Sequence, residues 1–327
     1  MIKKYLKSAI AIIALAFGLG LSASAQSSQI SEKTLPVGEF NAVDISGDFD
    51  VTISRGAYST RLTVDKQAAE YVEVYVRSKV LHISYNEDAI PKEKKKELTG
   101  KNASKMVFRV IVYCPELNGV TMSDNAVLSG TDEFNASDFA LNLTDKAQVK
   151  NLSVTAPRAS VYMRDKAQAT LILNADNDID LKTEASADLK VSLKCRKLNV
   201  KAISSSSVNT GGDAIESVNL ETEGSSKVTV STHTDLVTVN ANNRSNITLS
   251  GSAMTLKVKG DKNMKVDALS MPVPEVTTEM AGGELRTKVD KVLNVNISGG
   301  SEVYYEGEPE MRITRVLKST LAPAGKK

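Results

Sequence analysis

TDKAQ at Thr144–Gln148 returns twenty positions later as RDKAQ at Arg164–Gln168. Each copy sits in the same frame: a short alternating strand, a polar turn with a small residue, then a second alternating strand. Sliding that frame along the chain finds it repeatedly, from LNGVTMSDNAVLSG through FALNLTDKAQVKNLSV and ASVYMRDKAQATLILN to VLNVNISGGSEVYYEG. The turn centres Asp124, Asp145, Asp165, Glu184, Ser204 and Glu223 step by 19 to 21 residues. A fixed period of that size marks a stacked-repeat architecture.

A unit of two short strands cannot bury its own apolar face. Stacking many of them closes columns of Leu, Val and Ile into one core, with backbone bonds running from rung to rung. The turn centres need a small side chain or a positive φ, which explains their Gly, Asn, Asp and Ser. Leucine-rich repeats share the period, but they need a helical segment and an Asn ladder that this sequence lacks. The pattern predicts an all-β fold, a parallel β-helix of about ten rungs with a period of about 19–20.

Ahead of the repeat the pattern has period two. Val43 and Ile45, then Phe49, Val51 and Ile53, then Leu62 and Val64 fall on one face of successive segments. The same holds for Val72, Val74 and Val76, and for Leu81, Ile83 and Tyr85. Such alternation predicts strands with one buried and one wet face. An open solenoid end is an exposed strand edge, so these strands are expected to cap or flank the first rungs, and the segment after Tyr305 to cover the last. The Lys- and Glu-rich run from Pro91 to Ser104 reads as a solvated loop.

The N-terminus reads as an export signal. Lys3, Lys4 and Lys7 precede the apolar stretch Ala9–Leu21, and Ala23-Ser24-Ala25 supplies small residues for cleavage between Ala25 and Gln26. The apolar run is shorter than the roughly 20 residues a spanning helix needs, and no later segment approaches that length. The boundaries are then a signal over 1–25, a leader over 26–39, N-terminal strands over 40–114, the repeat over 115–313 and a loose tail over 314–327. An exported chain is expected in the periplasm, at the outer membrane or on the cell surface.

The chain carries 41 Lys and Arg against 39 Asp and Glu, so it lacks the basic excess of a general nucleic-acid or anionic-membrane binder. Trp is absent and Phe scarce, which favours thin layers of small branched residues over a large aromatic core. Cys114 and Cys195 are far apart in the chain. They read as two buried free thiols, with a disulfide as the alternative in an oxidising compartment.

FNAVDISGDFDVTISRG, RLTVD and VLHISY together resemble the opening strands of the auto-transporter adhesin head, or GIN, domain family of secreted Bacteroidota proteins. VIVYCPELNGVTMSDNAVLSG resembles its passage into the first rung, and NISGGSEVYYEGEPE its closing rung. The resemblance runs from about residue 38 to about residue 313. It implies a right-handed β-helix and an adhesin-like role, and it supplies no catalytic residues. The family's Gly-Ser-Gly turns are replaced in the middle rungs by SDNA, TDKA, RDKA and SSSS, which removes any basis for carrying over a ligand site.

Candidate chemistry is sparse. Asp124, Asp145, Asp165 and Glu184 are expected to stack as a carboxylate column, which reads either as a cation- or glycan-binding ridge or as ordinary turn residues neutralised by Lys146, Lys166 and Arg164. His82 is expected to face outward and His233 to lie in a turn, neither near a Ser or Cys motif. Ser204–Ser207 reads as a hydroxyl ladder, Tyr304 and Tyr305 as caps of the last rung, and the Gly pairs at 211–212, 282–283 and 299–300 as turn glycines. No cofactor or metal is implied. These features predict a non-enzymatic, adhesin-like binding protein of the cell envelope whose partner is a glycan or a protein of the envelope or host surface. The alternatives are a polysaccharide lyase or hydrolase working at the Asp124–Glu184 column, and a purely structural envelope component.

Overall fold

The computed structural model describes residues 30–99, 101 and 106–325. The expected export signal, with Ala25 and Gln26, lies outside them. About 69% of the chain is strand and 4% helix, and the strands stack as parallel coils into a β-solenoid of about 11 turns. The β-helix reading therefore holds, and the leucine-rich alternative does not.

The entry into the stack is interleaved. After β1 (Ile30–Leu35), β2 (Ala42–Ser46) and β3 (Asp50–Arg55) make one coil around a turn at Gly47. The chain then leaves through β4 (Ser59–Asp65), β5 (Val72–Arg77), β6 (Val80–Tyr85) and β7 (Phe108–Cys114), and returns at β8 (Gly119–Met122) and β9 (Val127–Asn135). β2 lies between β6 and β8 and is parallel to both; β3 lies likewise between β7 and β9. Residues 42–55, read from sequence as part of a separate N-terminal region, are thus a coil of the stack itself. The flanking role belongs to β4 and β5, which close the layer below by pairing antiparallel with β7 and β6, while β1 pairs antiparallel with β4.

Beyond β9 the coils rise in order. β10 (Phe139–Leu143) and β11 (Gln148–Ala156) make one, β12 (Ala159–Met163) and β13 (Gln168–Ala175) the next. β14 (Asp178–Thr183) begins another, and from there each strand runs unbroken around the far corner into the next coil. These long strands are β15 (Asp188–Ala202), β16 (Ser207–Thr222), β17 (Lys227–Ala241), β18 (Asn246–Asp261), β19 (Lys265–Ala281) and β20 (Glu284–Ser298). β21 (Glu302–Glu306), β22 (Glu310–Leu317) and β23 (Thr320–Pro323) finish the stack.

Alternation puts every second residue inside, and the registers lay those residues over one another. One column runs from Leu62 through Val110, Val51 and Leu128 up to Leu285, Val303 and Leu321. A second runs from Val76 through Leu81, Val43 and Val120 to Val295 and Ile313. Val51, Leu128, Val43 and Val120 are at most 1% exposed. At roughly 25 cal/mol per Å² of apolar area removed from water, each such side chain contributes about 1.5–3 kcal/mol.

Two segments differ from their sequence readings. Lys92–Leu98, expected as solvated loop, is an α-helix (α1). Pro91 stands at its N-cap, Glu93 in its first turn and Lys95 and Lys96 in its last, an order that complements the helix dipole. Leu98 buries its side chain with Tyr71 and Ile90, and Tyr85 Oη donates to the Leu98 carbonyl at 3.0 Å. The segment after Thr314, expected to be loose, continues β22 and supplies β23, which pair in parallel with β20 and β21. The period persists there, but its turn is Lys318-Ser319 rather than a Gly- or Asp-marked one.

Cys114 and Cys195 are free and buried, and burial pushes both thiols up to about 12. The thiolate is the reactive form, so the folded protein should show no titratable thiol with an aromatic disulfide reagent at pH 8, and two after denaturation. Gly212, at φ +126°, lies so close to the coil below that a Cβ would collide with the Leu193 carbonyl, whereas a Cβ on Gly211 meets nothing within 4 Å. Gly212→Ala should cost at least about 2 kcal/mol in urea unfolding and Gly211→Ala within about 0.5 kcal/mol of nothing.

Candidate functional site

Each coil turns through positive φ, in most coils at a single residue near +60° and at Gly47, Gly282-Gly283 and Gly299-Gly300 through glycine, and these turns line up as a ridge along the solenoid. Asp124, Asp145 and Asp165 occupy it at φ 59°, 59° and 63°. Asp tolerates this left-handed geometry because its short side chain can hydrogen-bond locally. Here each carboxylate reaches down to the preceding coil: Asp124 Oδ2 accepts from the Gly47 amide at 2.9 Å, Asp145 Oδ2 from the Asp124 amide at 3.4 Å, and Asp165 Oδ2 from the Asp145 amide at 3.5 Å. Thr144 Oγ1 adds a 2.8 Å bond to Asp145 Oδ2, and Arg164 Nε lies 3.4 Å from Asp165 Oδ2. The three aspartates therefore stack, and their carboxylates are engaged in stapling one turn to the next.

Glu184 does not join them. The ridge position in its coil is Ala185, at φ 59°, so Glu184 falls one residue early, as does Glu223 before Gly224. Spacing that wavers between 19 and 21 cannot distinguish these neighbours in the sequence. Glu184 turns outward instead, meeting Lys182 Nζ at 2.8 Å and accepting from Tyr162 Oη at 3.1 Å. The Lys182 ammonium beside it holds its carboxyl below the usual range. No group of three or more His, Cys, Asp or Glu poised to hold a metal ion occurs among the described residues.

Three residues inward from the ridge a different column appears, which the sequence reading missed. Lys201, Glu221, Asn240, Lys259, Glu279, Asn296 and Arg315 stand directly over one another on the outer face. Cation, carboxylate and amide recur in that order every three coils. Lys201 Nζ lies 2.8 Å from Glu221 Oε2, and Lys259 Nζ 3.4 Å from Glu279 Oε2. Two shallow hollows follow the same line and share Asn242. One, of about 190 Å³, is bordered by Lys201, Glu221, Asn240 and Thr222; the other, of about 290 Å³, by Lys259, Glu279, Asn296 and Arg315. Together they make a groove along the solenoid axis. Its signal was present in the sequence as a 19- to 20-residue recurrence of exposed polar residues, which turn-centred reading passes over.

The other candidates are placed as follows. His82 faces outward, its Nδ1 3.1 Å from Asp44 Oδ2 and its ring stacked on Tyr75 at 5.0 Å. His233 lies within β17 rather than in a turn, and its Nδ1 is 3.1 Å from Asp213 Oδ1 one coil below. In the Ser204–Ser207 run, Ser204 is the ridge residue, while Ser206 turns inward and meets Thr183 Oγ1 at 3.0 Å. Tyr305 packs partly against the core and Tyr304 Oη bonds Glu302 Oε2 at 3.0 Å. At the other end of the molecule a cleft of about 680 Å³ lies among Lys33, Lys66, Lys94, Glu70 and Glu97, where Lys94 pairs with Glu70 at 3.2 Å.

A solenoid with a stapled ridge and a lateral polar groove belongs to the class of β-helical domains. The chain belongs to the family described as "Putative auto-transporter adhesin, head GIN domain", which it matches over residues 39–177 and 214–309. No curated protein matches it. Among solved structures it is similar to a putative adhesin from Parabacteroides merdae, with 16% identity, 91% of this chain and 98% of that one covered, and a TM-score of 0.35. It is also similar to a putative lipid binding protein from Parabacteroides distasonis (14% identity, 91% and 96% covered, TM-score 0.34) and to a putative adhesin from Bacteroides fragilis (13%, 91% and 98%, 0.31).

The stapling role of the aspartates gives a measurable expectation. Asp145→Ala removes a left-handed-tolerant residue and the acceptor for two hydrogen bonds, and should cost about 1–2 kcal/mol in urea unfolding. Asp145→Asn, which keeps the backbone preference, should cost less.

Proposed function

We propose that this chain is an exported, non-enzymatic, adhesin-like binding protein of the bacterial cell envelope, and that it holds an extended glycan or a segment of an envelope or host surface protein in the groove between Lys201 and Arg315. The observation that carries this reading is the outer column of recurring cation, carboxylate and amide beside that groove. Its positions repeat at the coil spacing of about 4.8 Å, so the set of three groups returns about every 14 Å. A linear polymer laid along the axis meets the same set of donors and acceptors more than once, so weak contacts add through avidity.

Family membership supports the adhesive reading, and the two hollows along the groove are shallow and open, as a site for an extended ligand requires. The stapled aspartates fit a structural role as well, because one oxygen of each, Oδ2, is already engaged by a backbone amide of the coil below. Export is supported by the N-terminal sequence pattern; among the described residues no helix is long and apolar enough to cross a membrane.

The test is a glycan array together with a pull-down from envelope and host-surface extracts, comparing the wild type with Lys259→Glu/Arg315→Glu. Wild type should retain a specific ligand and release no cleaved product, and the double variant should lose at least about tenfold in affinity. Depolymerisation of any glycan that Asp145→Ala abolishes, or binding unaffected by the double variant, would overturn the proposal.

A further inference from the structure

The two ends of the solenoid are finished differently. At the N-terminal end one set of inner columns terminates in Leu62 and Val64 of the antiparallel strand β4, 5% and 1% exposed and flanked by the charged strand β1, and the other in Val72, Val74 and Val76 of β5, which are half-buried. At the C-terminal end the same columns run out uncovered. Val295 and Ile297 are 1% and 0% exposed, but Ile313 and Val316, directly above them in register, are 56% and 41% exposed. Leu317 is 47% exposed, and Met311 and Leu321 are only partly covered. Among the described residues β22 and β23 each pair on one side only.

An open parallel edge above an apolar floor is a template for another strand. We infer that this end is an interface for a second copy of the chain, docked end to end across a two-fold axis. An axis perpendicular to both sheets maps β22 onto an antiparallel β22 and β23 onto an antiparallel β23, so both sheets are completed at once. The chain already closes its other end with antiparallel strands on a parallel coil, which shows that the coil geometry accepts such a layer. Stacking in the opposite sense, N-terminal end on C-terminal end, is obstructed by that same layer and by β1.

Charge placement fits self-pairing. Glu310 stands near the start of β22 and Arg315 near its end, both facing outward. In the register that sets Met311 against Ile313 of the second copy, each Glu310 lies beside the other copy's Arg315. Arg312 then faces its own equivalent, each held within its own chain by Glu310 at 2.9 and 3.3 Å, so that each Glu310 carboxylate stands between its own Arg312 and the other copy's Arg315. The arrangement is isologous and closed, so it ends at a dimer.

The experiment is sedimentation equilibrium on the full protein as isolated from the expressing cell. A dimer is expected at about 100 µM, and Ile313→Asp should weaken it at least about tenfold with an unchanged circular dichroism spectrum. Arg312→Cys, which in that register faces its own equivalent across the two-fold axis, should cross-link two chains on oxidation, while Met254→Cys, exposed at mid-stack, should not. The native thiols are buried and do not interfere. A monomer at that concentration, masses beyond a dimer, or a dimer insensitive to Ile313→Asp would overturn the inference. Should Ile313→Asp fail to fold, failure of Arg312→Cys to cross-link does so alone.

Discussion

Every feature of the molecule depends on coil-to-coil register. Backbone bonds between parallel strands lock each inward side chain over the one below, and a slip of one residue would turn an apolar column out to water. Coil lengths nevertheless vary. Most of the slack is taken up at one corner: the register shifts at Val149/Leu152, Cys195/Lys197, Gly211/Ser217 and Ala268/Val273 fall between the strand that leaves the turn ridge and the strand that returns to it, and only in the last coil does one, at Val295/Asn296, fall in the returning strand. The ridge stays in phase because the opposite corner absorbs the difference. A binding column beside the ridge is therefore periodic, whereas one at the far corner would not be.

The same register makes the two ends a problem that side chains cannot solve. A parallel coil always leaves donors and acceptors on its outer edge, together with the cross-section of the core. At the N-terminal end the chain reverses direction through β4 and β5, so the terminal layer is antiparallel. The interleaving of β2 and β3 between β6/β7 and β8/β9 is the topological consequence: the chain lays one coil, passes beneath it to build the cap, and then returns above it. That path lengthens the loop to be closed before the first parallel contacts form, a cost that grows only slowly with loop length.

Much of this was legible in the sequence, for identifiable reasons. TDKAQ and RDKAQ disclose the period, and the alternation of Val43 with Ile45 or of Leu81 with Ile83 discloses which face is buried. Glu184 was misplaced because its neighbour Ala185 carries no turn signature, so only backbone geometry reveals which residue sits at φ 59°. The helix Lys92–Leu98 was read through its charge, although Pro91, Glu93 and the late lysines are helix signals and only Leu98 among them is apolar. The coil membership of Ala42–Arg55 was hidden because its partners lie 38 to 77 positions away, a pairing that local pattern cannot encode.

The ridge changes character along its length, and the change begins inside. The buried residue two places before each ridge position is Met122, Leu143 and Met163 in the early coils, then Thr183, Ala202, Thr222, Ala241 and Gly260 in the middle ones, before Met280 and Ile297 restore large side chains in the last. Large side chains fill the corner where Asp124, Asp145 and Asp165 staple the turns. Small ones withdraw volume from it, and Ala202, Thr222 and Gly260 border the two hollows that form the groove. At Gly260 a Cβ would strike the Ala241 carbonyl, so the backbones of those coils approach more closely than any side chain permits. The inward run of small residues, invisible to a search for catalytic motifs, coincides with the first hollow and with the lower border of the second, whose upper border is Met280.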